Sequence, residues 1–237
     1  MPPDWLQHVA LFHVLLSIGS ALLVTADIFL LGRRQPMAIM DAVWPVTLLY
    51  FGPAGLIFYG WFGRAPAPRR EHHDEEHGHH QGHHHDHRHG DTPMWQATFN
   101  GACHCGAGCA LGDTLGDWLA FGTGFAVAGS PFAGSLLLSF VLAYALGIVF
   151  QFFSVAPMQG LGLRDGLIAA VKADTLSLLA YEVGMFAVMG LRAWLLPGLH
   201  PTSWSYWLFM QIAMLGGFAT TYPVNWWLVA RGFKEKM

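Results

Sequence analysis

Apolar residues run through this chain in long blocks separated by short polar punctuation. The blocks predict six helices, at 5–31, 40–62, 98–128, 132–155, 165–194 and 203–229. Each meets or exceeds the roughly 20 residues that cross a bilayer. Pro45 and Pro53 are expected to bend the second helix, and Pro223 to interrupt the sixth, because proline removes a backbone donor. The first block has no basic start and no small-residue cleavage pattern, so it reads as a spanning helix and not as a signal peptide. The pattern defines an all-α, polytopic integral membrane protein with about six transmembrane helices. It divides into two N-terminal helices (1–63), a histidine-rich loop (64–95) and a four-helix core (96–237).

Composition sharpens this picture. The chain is 54% hydrophobic and 11% charged, against about 25% charged in an ordinary soluble domain. The formal net charge of −3 gives no basic face for nucleic acid. Six crossings put both termini and the histidine loop on one side, with Arg64, Arg69, Arg70, Arg88, Arg164, Arg231, Lys234 and Lys236. Arg33, Arg34 and Arg192 fall on the other side. The bias favours a cytoplasmic histidine loop in a bacterial inner membrane. Arg33 and Arg34, directly after the first helix, argue locally the other way.

Candidate chemistry is concentrated at 101–117, which holds all three cysteines, His104, Asp113 and Asp117. On a helix, Cys105, Cys109, Asp113 and Asp117 are spaced four apart and form one drifting stripe. Beside it run Gly108, Gly112, Gly116, Ala120 and Gly124, a small-residue face that admits a second helix at close range. That face serves an internal helix pair or a homo-oligomer equally well. Three cysteines within seven residues make a poor disulfide framework and suit metal ligation better. Cys103, His104, Cys105 and Cys109 are therefore candidate ligands, with Asp113 and Asp117.

Two thioether pairs, Met185 with Met189 and Met210 with Met214, stand one turn apart in the fifth and sixth helices. Soft sulfur selects copper(I), whereas thiolate with imidazole and carboxylate also suits zinc. The loop adds His72, His73, His77, His79, His80, His83, His84, His85, His87 and His89 among acidic residues. The tract itself, 71–90, has no apolar residues with which to build a core and is expected to be disordered. Its imidazoles suit zinc, nickel or copper(II), and as a bland alternative it is a solvated spacer.

A charge at mid-membrane costs about 2.5–3.5 kcal/mol on insertion scales, so intramembrane ionisable groups mark function by default. His13, Asp27, Lys172, Asp174, Tyr181 and Glu182 form a candidate polar pathway, with Lys172 free to neutralise a carboxylate on another helix. Together these features describe a membrane protein that binds or transports a transition-metal ion, copper favoured over zinc or nickel. A transporter or metal-binding protein is favoured over an enzyme, and no His-Glu-x-x-His or nucleophile motif supports a hydrolase. The alternative is a membrane redox or metallocofactor-assembly protein using the Cys-His-Cys site. The absence of Cys-x-x-Cys weighs against thiol exchange.

Two motifs carry a resemblance. His104-Cys105-Gly106-Ala107-Gly108-Cys109 with Leu111-Gly112-Asp113 is the first. The second is Thr221-Tyr222-Pro223-Val224-Asn225-Trp226-Trp227-Leu228 with Arg231-Gly232. They resemble a family of uncharacterised bacterial multi-pass membrane proteins carrying a domain of unknown function. The resemblance covers roughly residues 95–237, and its pattern includes His104, Cys105 and Cys109. It implies a helical membrane fold and no established activity.

Overall fold

The computed structural model describes residues 3–67 and 92–234. Five long helices form the bundle: α1 (Asp4–Phe29), α4 (Met94–Thr123), α5 (Pro131–Gln159), α6 (Leu163–Leu195) and α7 (Trp204–Ala230). Between α1 and α4 lie α2 (Met40–Phe51) and α3 (Pro53–Phe58), the latter continuing as a π-helical turn over Tyr59–Gly63. There is no β-strand among the described residues, only an isolated bridge between Val127 and Ser130. The boundaries follow local chemistry. Ser130 and Ser203 cap α5 and α7 by accepting from the N–H groups of Ala133 and Tyr206. Left-handed Gly124 and Gly160 end α4 and α5.

Three helices, α1, α5 and α6, are long and apolar enough to cross a membrane. α4, of 30 residues, is less apolar because its surroundings are protein: 18 of its residues are buried. Its small-residue face is filled by α5. A Cβ on Gly108 would lie 2.7 Å from the Cα of Gly147, and one on Gly112 would fall onto the backbone of Ala143. The face offered by the sequence to a partner chain is thus used within the chain. α7 runs through Pro223 without a break. A proline inside a packed membrane helix kinks it more often than it ends it, because neighbours re-satisfy the freed backbone.

The second apolar block departs from the expected single bent span. Gly52 turns it back on itself (φ +59°, ψ −146°), and Pro53 starts a new helix. Across the turn, Trp44 packs edge-on against Tyr59 and Phe62, and Phe51 against Phe58. Both ends of this hairpin lie beside the C-terminal end of α1. Tyr59 and Arg64 donate to the Asp27 carboxylate, and Arg33 donates to the Ala65 carbonyl. The hairpin tip reaches the middle of the bundle, where Gly52 is buried and Pro53 and Ala54 are exposed. His13 Nδ1 pairs with Gln211 Oε1 at 2.9 Å, and Gln211 Nε2 donates to the Leu49 carbonyl at 2.6 Å.

The hairpin leaves both of its ends on one side, so the first and last described segments, the start of α1 and the end of α7, lie at opposite ends of the bundle. Gln7 accepts from the Ser205 N–H at the start of α7, while Lys234 returns to the start of α6. Of the eight lysines and arginines among the described residues, all but Arg192 lie towards one end, here called the basic end. The local conflict over Arg33 and Arg34 disappears, since they share that end with Arg64.

Gly52→Ala is expected to loosen the hairpin. Its backbone occupies a region that L residues rarely adopt, and the new Cβ would meet Ser17 Oγ at 3.0 Å. Strain of this kind costs about 1–3 kcal/mol. Hydrogen exchange should rise across 40–63 and stay unchanged in α5 and α6.

Candidate functional site

The four-apart spacing on α4 does what a helix dictates. Cys105, Cys109, Asp113 and Asp117 are all buried and line the side of α4 that meets α6 and α7. α6 runs parallel to α4 and presents Asp174, Ser177, Tyr181, Glu182, Met185 and Met189, all buried. Glu182 neighbours Cys109 and faces Asp113, and Cys105 neighbours Cys109. Tyr50, from the hairpin, reaches the same place. Gly106 leaves room for it, since a Cβ there would lie 2.9 Å from the Tyr50 hydroxyl and 3.1 Å from the Tyr181 ring.

The centre of this arrangement is polar and unsatisfied. Both carboxyl oxygens of Asp113, both of Glu182, and the hydroxyls of Tyr50 and Tyr181 are buried without a protein hydrogen-bond partner among the described residues. Buried polar atoms are nearly always partnered, and exceptions cluster where something else is bound or transferred. The methionines supply the other half of the site. Met185, Met189, Met210 and Met214 share one core cluster with Cys105, Cys109, Tyr50 and Tyr181.

The two ends of the file differ from its centre. Away from the basic end, Asp117 is fully partnered: Ser135 Oγ and Tyr206 Oη donate to it, with Ser139 Oγ at 3.3 Å. Arg192 lies nearby over the Tyr206 ring. At the basic end, Asp174 accepts from Lys234 Nζ at 2.6 Å. Lys172, expected to neutralise a carboxylate, is exposed, and the tail lysine fills that role instead.

Other candidates are dispersed. Successive helix residues point about 100° apart, so Cys103 and His104 face other directions than Cys105. Cys103 still lies near Tyr50, and His104, both ring nitrogens buried without a hydrogen-bond partner among the described residues, lies near Asp174 and Lys234. Cys103 packs in a separate core with Trp44 and Phe150, and His104 sits edge-on to Phe150. Asp27 anchors the hairpin in ion pairs with Arg33 and Arg64, and His13 holds the hairpin tip, so neither joins the file. The ten loop histidines, His72 through His89, lie outside the described residues. Among the described residues, no three His, Cys, Asp or Glu side chains already stand in a metal-ligand arrangement. Sequence reading missed Tyr50, Asn225, Tyr206 and Lys234. Asn225, one turn beyond Thr221 in an apolar helix, was the detectable signal among them.

Fold and site together define a polytopic helical membrane-type protein with a buried file of ionisable and sulfur side chains. Residues 94–234, more than half of the chain, match the family model DUF4396, a domain of unknown function, and the chain belongs to that family. No curated protein and no solved structure matches it.

Proposed function

We propose that this protein binds and moves a soft transition-metal cation, copper(I) foremost, within a bacterial inner membrane. The ligands are the Cys105 and Cys109 thiolates with the Asp113 and Glu182 carboxylates, and the four core methionines provide a thioether lining. One observation carries this reading: two thiols and two carboxyl side chains lie near one another on the facing sides of α4 and α6, with the Cys109 thiol beside Glu182, and the four carboxyl oxygens have no N–H or O–H partner among the described residues. A bound cation supplies what they lack. Sulfur donors favour copper(I), with zinc and nickel behind it. Binding would draw Glu182 and Cys109 together from their present neighbouring positions. The basic end faces the cytoplasm on this reading, because lysine and arginine gather there. The histidine tract, between 67 and 92, then collects ions on that side. Cys103 and His104 stand outside this ligand set.

Metal content of purified protein tests the reading. After growth in copper, near-stoichiometric metal should survive deletion of 71–90. It should fall at least tenfold in Cys105→Ser/Cys109→Ser. Loss of all metal with the deletion, and none with the double substitution, would place binding in the tract and overturn the proposal.

A further inference from the structure

The last described residue of the chain is inside the protein. α7 ends at Ala230, and Gly232 (φ +72°) turns the tail back. Phe233 stacks on Trp227 at 5.9 Å, and the Phe233 N–H donates to the Leu228 carbonyl at 2.9 Å. This hook delivers Lys234 into the bundle, where its side chain is 2% exposed. The ammonium donates to Asp174 Oδ1 at 2.6 Å and to Asn225 Oδ1 at 2.9 Å. The stem passes near Gly101, one turn before His104 and Cys105: a Cβ there would lie 4.0 Å from Lys234 Cε.

The pocket around the ammonium is built and not incidental. Ser177 Oγ donates to Asn225 Oδ1 at 3.0 Å, and Thr221 Oγ1 donates to the Ser177 carbonyl at 2.9 Å. Asn225 Nδ2 lies 3.3 Å from Thr221 Oγ1, so the amide is held with its oxygen turned to the cation. Asp174 Oδ2 is buried with no hydrogen-bond partner among the described residues. The atoms that accept from the ammonium are all oxygen, which suits a hard cation. The His104 imidazole lies near the pair without bonding to it. Beyond Lys234 lies a cavity of about 340 Å³ at the basic end, lined by Gln151, Met158, Lys172, Ala173 and Phe233. Lys234 itself lines that cavity, and the inner end of its side chain approaches Gly101, one turn before Cys105.

We propose that Asp174 and Asn225 form a site for a small hard monovalent cation at the basic end, and that the Lys234 ammonium occupies it as a tethered plug. Withdrawal of the hook opens the cavity towards Cys105 and leaves the site to an alkali-metal or ammonium-type cation. The gate gains its purpose from the cation reading above, but its test uses no transition metal.

The experiment is thiol labelling of the full chain with a small, water-soluble methanethiosulfonate. Lys234→Met keeps the apolar stem and removes the charge. It should raise the labelling rate of Cys105 at least tenfold, and Lys234→Arg should stay near wild type. Methylammonium or sodium at millimolar concentration should slow labelling of Lys234→Met again, while choline, too large for the site, should not. Asp174→Asn should label fast and respond to neither cation. Labelling of Lys234→Met at the wild-type rate would overturn the plug. Fast labelling that no cation slows would overturn the site. Gating without copper binding would retain this inference while the metal reading falls.

Discussion

Gly112→Leu is expected to prevent formation of the bundle. α4 and α5 approach most closely along Gly108, Gly112 and Gly116, opposite Gly147, Ala143 and Ser139. At Gly112 even a methyl group would land on the Ala143 backbone, which cannot rotate away as a side chain can. Overpacking in a well-packed core usually costs about 1–3 kcal/mol. Here the helices themselves must separate, so the cost should exceed that range. It would also pull Cys109 and Asp113 away from Glu182, because they stand on the same turns of α4 as the glycines. Gly122→Leu is the matched control: it lies on the same helix and a Cβ there meets nothing within 4 Å. Size-exclusion profiles in detergent should show aggregated Gly112→Leu and monodisperse Gly122→Leu. Equal behaviour of the two would show that the close approach carries little of the stability.

Asp113→Asn should move stability and binding in opposite directions. In the metal-free protein Asp113 and Glu182 are two acidic groups facing each other, buried and unpartnered. Burying an ionised or unbonded carboxyl group is costly, and a like neighbour adds to the cost. An amide removes that repulsion, so thermal stability of the metal-free protein should rise. If Asp113 is one of the proposed anionic ligands, copper retention should fall at least tenfold. A purely structural pair would behave otherwise, losing stability and leaving metal content unchanged. Glu182→Gln should follow Asp113→Asn in both measurements. Asp117→Asn should not. Its carboxylate accepts from Ser135 and Tyr206, so it should lose stability.

Much of this site was legible before any coordinates. Four-residue spacing is a direct statement about one helix face, which is why Cys105, Cys109 and Asp113 came out together. The same rule separates Cys103 and His104 from them, because adjacent helix residues diverge. The hairpin was hidden for a different reason. Residues 40–62 are apolar throughout and have the length of a crossing, so hydropathy alone cannot distinguish a span from a pair of half-length helices. Only the Gly52-Pro53 step marks the turn, and its meaning depends on a positive φ that sequence does not display. The pair Arg33-Arg34, at odds with six crossings, was the one outward sign. Lys234 was hidden because its place depends on the tail folding back at Gly232, a tertiary event with no periodic signature. Lys172 sat in the helix and drew attention that belonged to the tail.

The central claim is that Cys105 and Cys109, with Asp113 and Glu182, hold a cation inside the bundle. The most direct measurement is copper X-ray absorption on protein lacking 71–90, purified under reducing conditions. A first shell containing sulfur, converted to nitrogen or oxygen only or lost outright in Cys105→Ser/Cys109→Ser, is the expected result. A sulfur-free shell in the protein with all its cysteines, unchanged by the double substitution, would contradict the account.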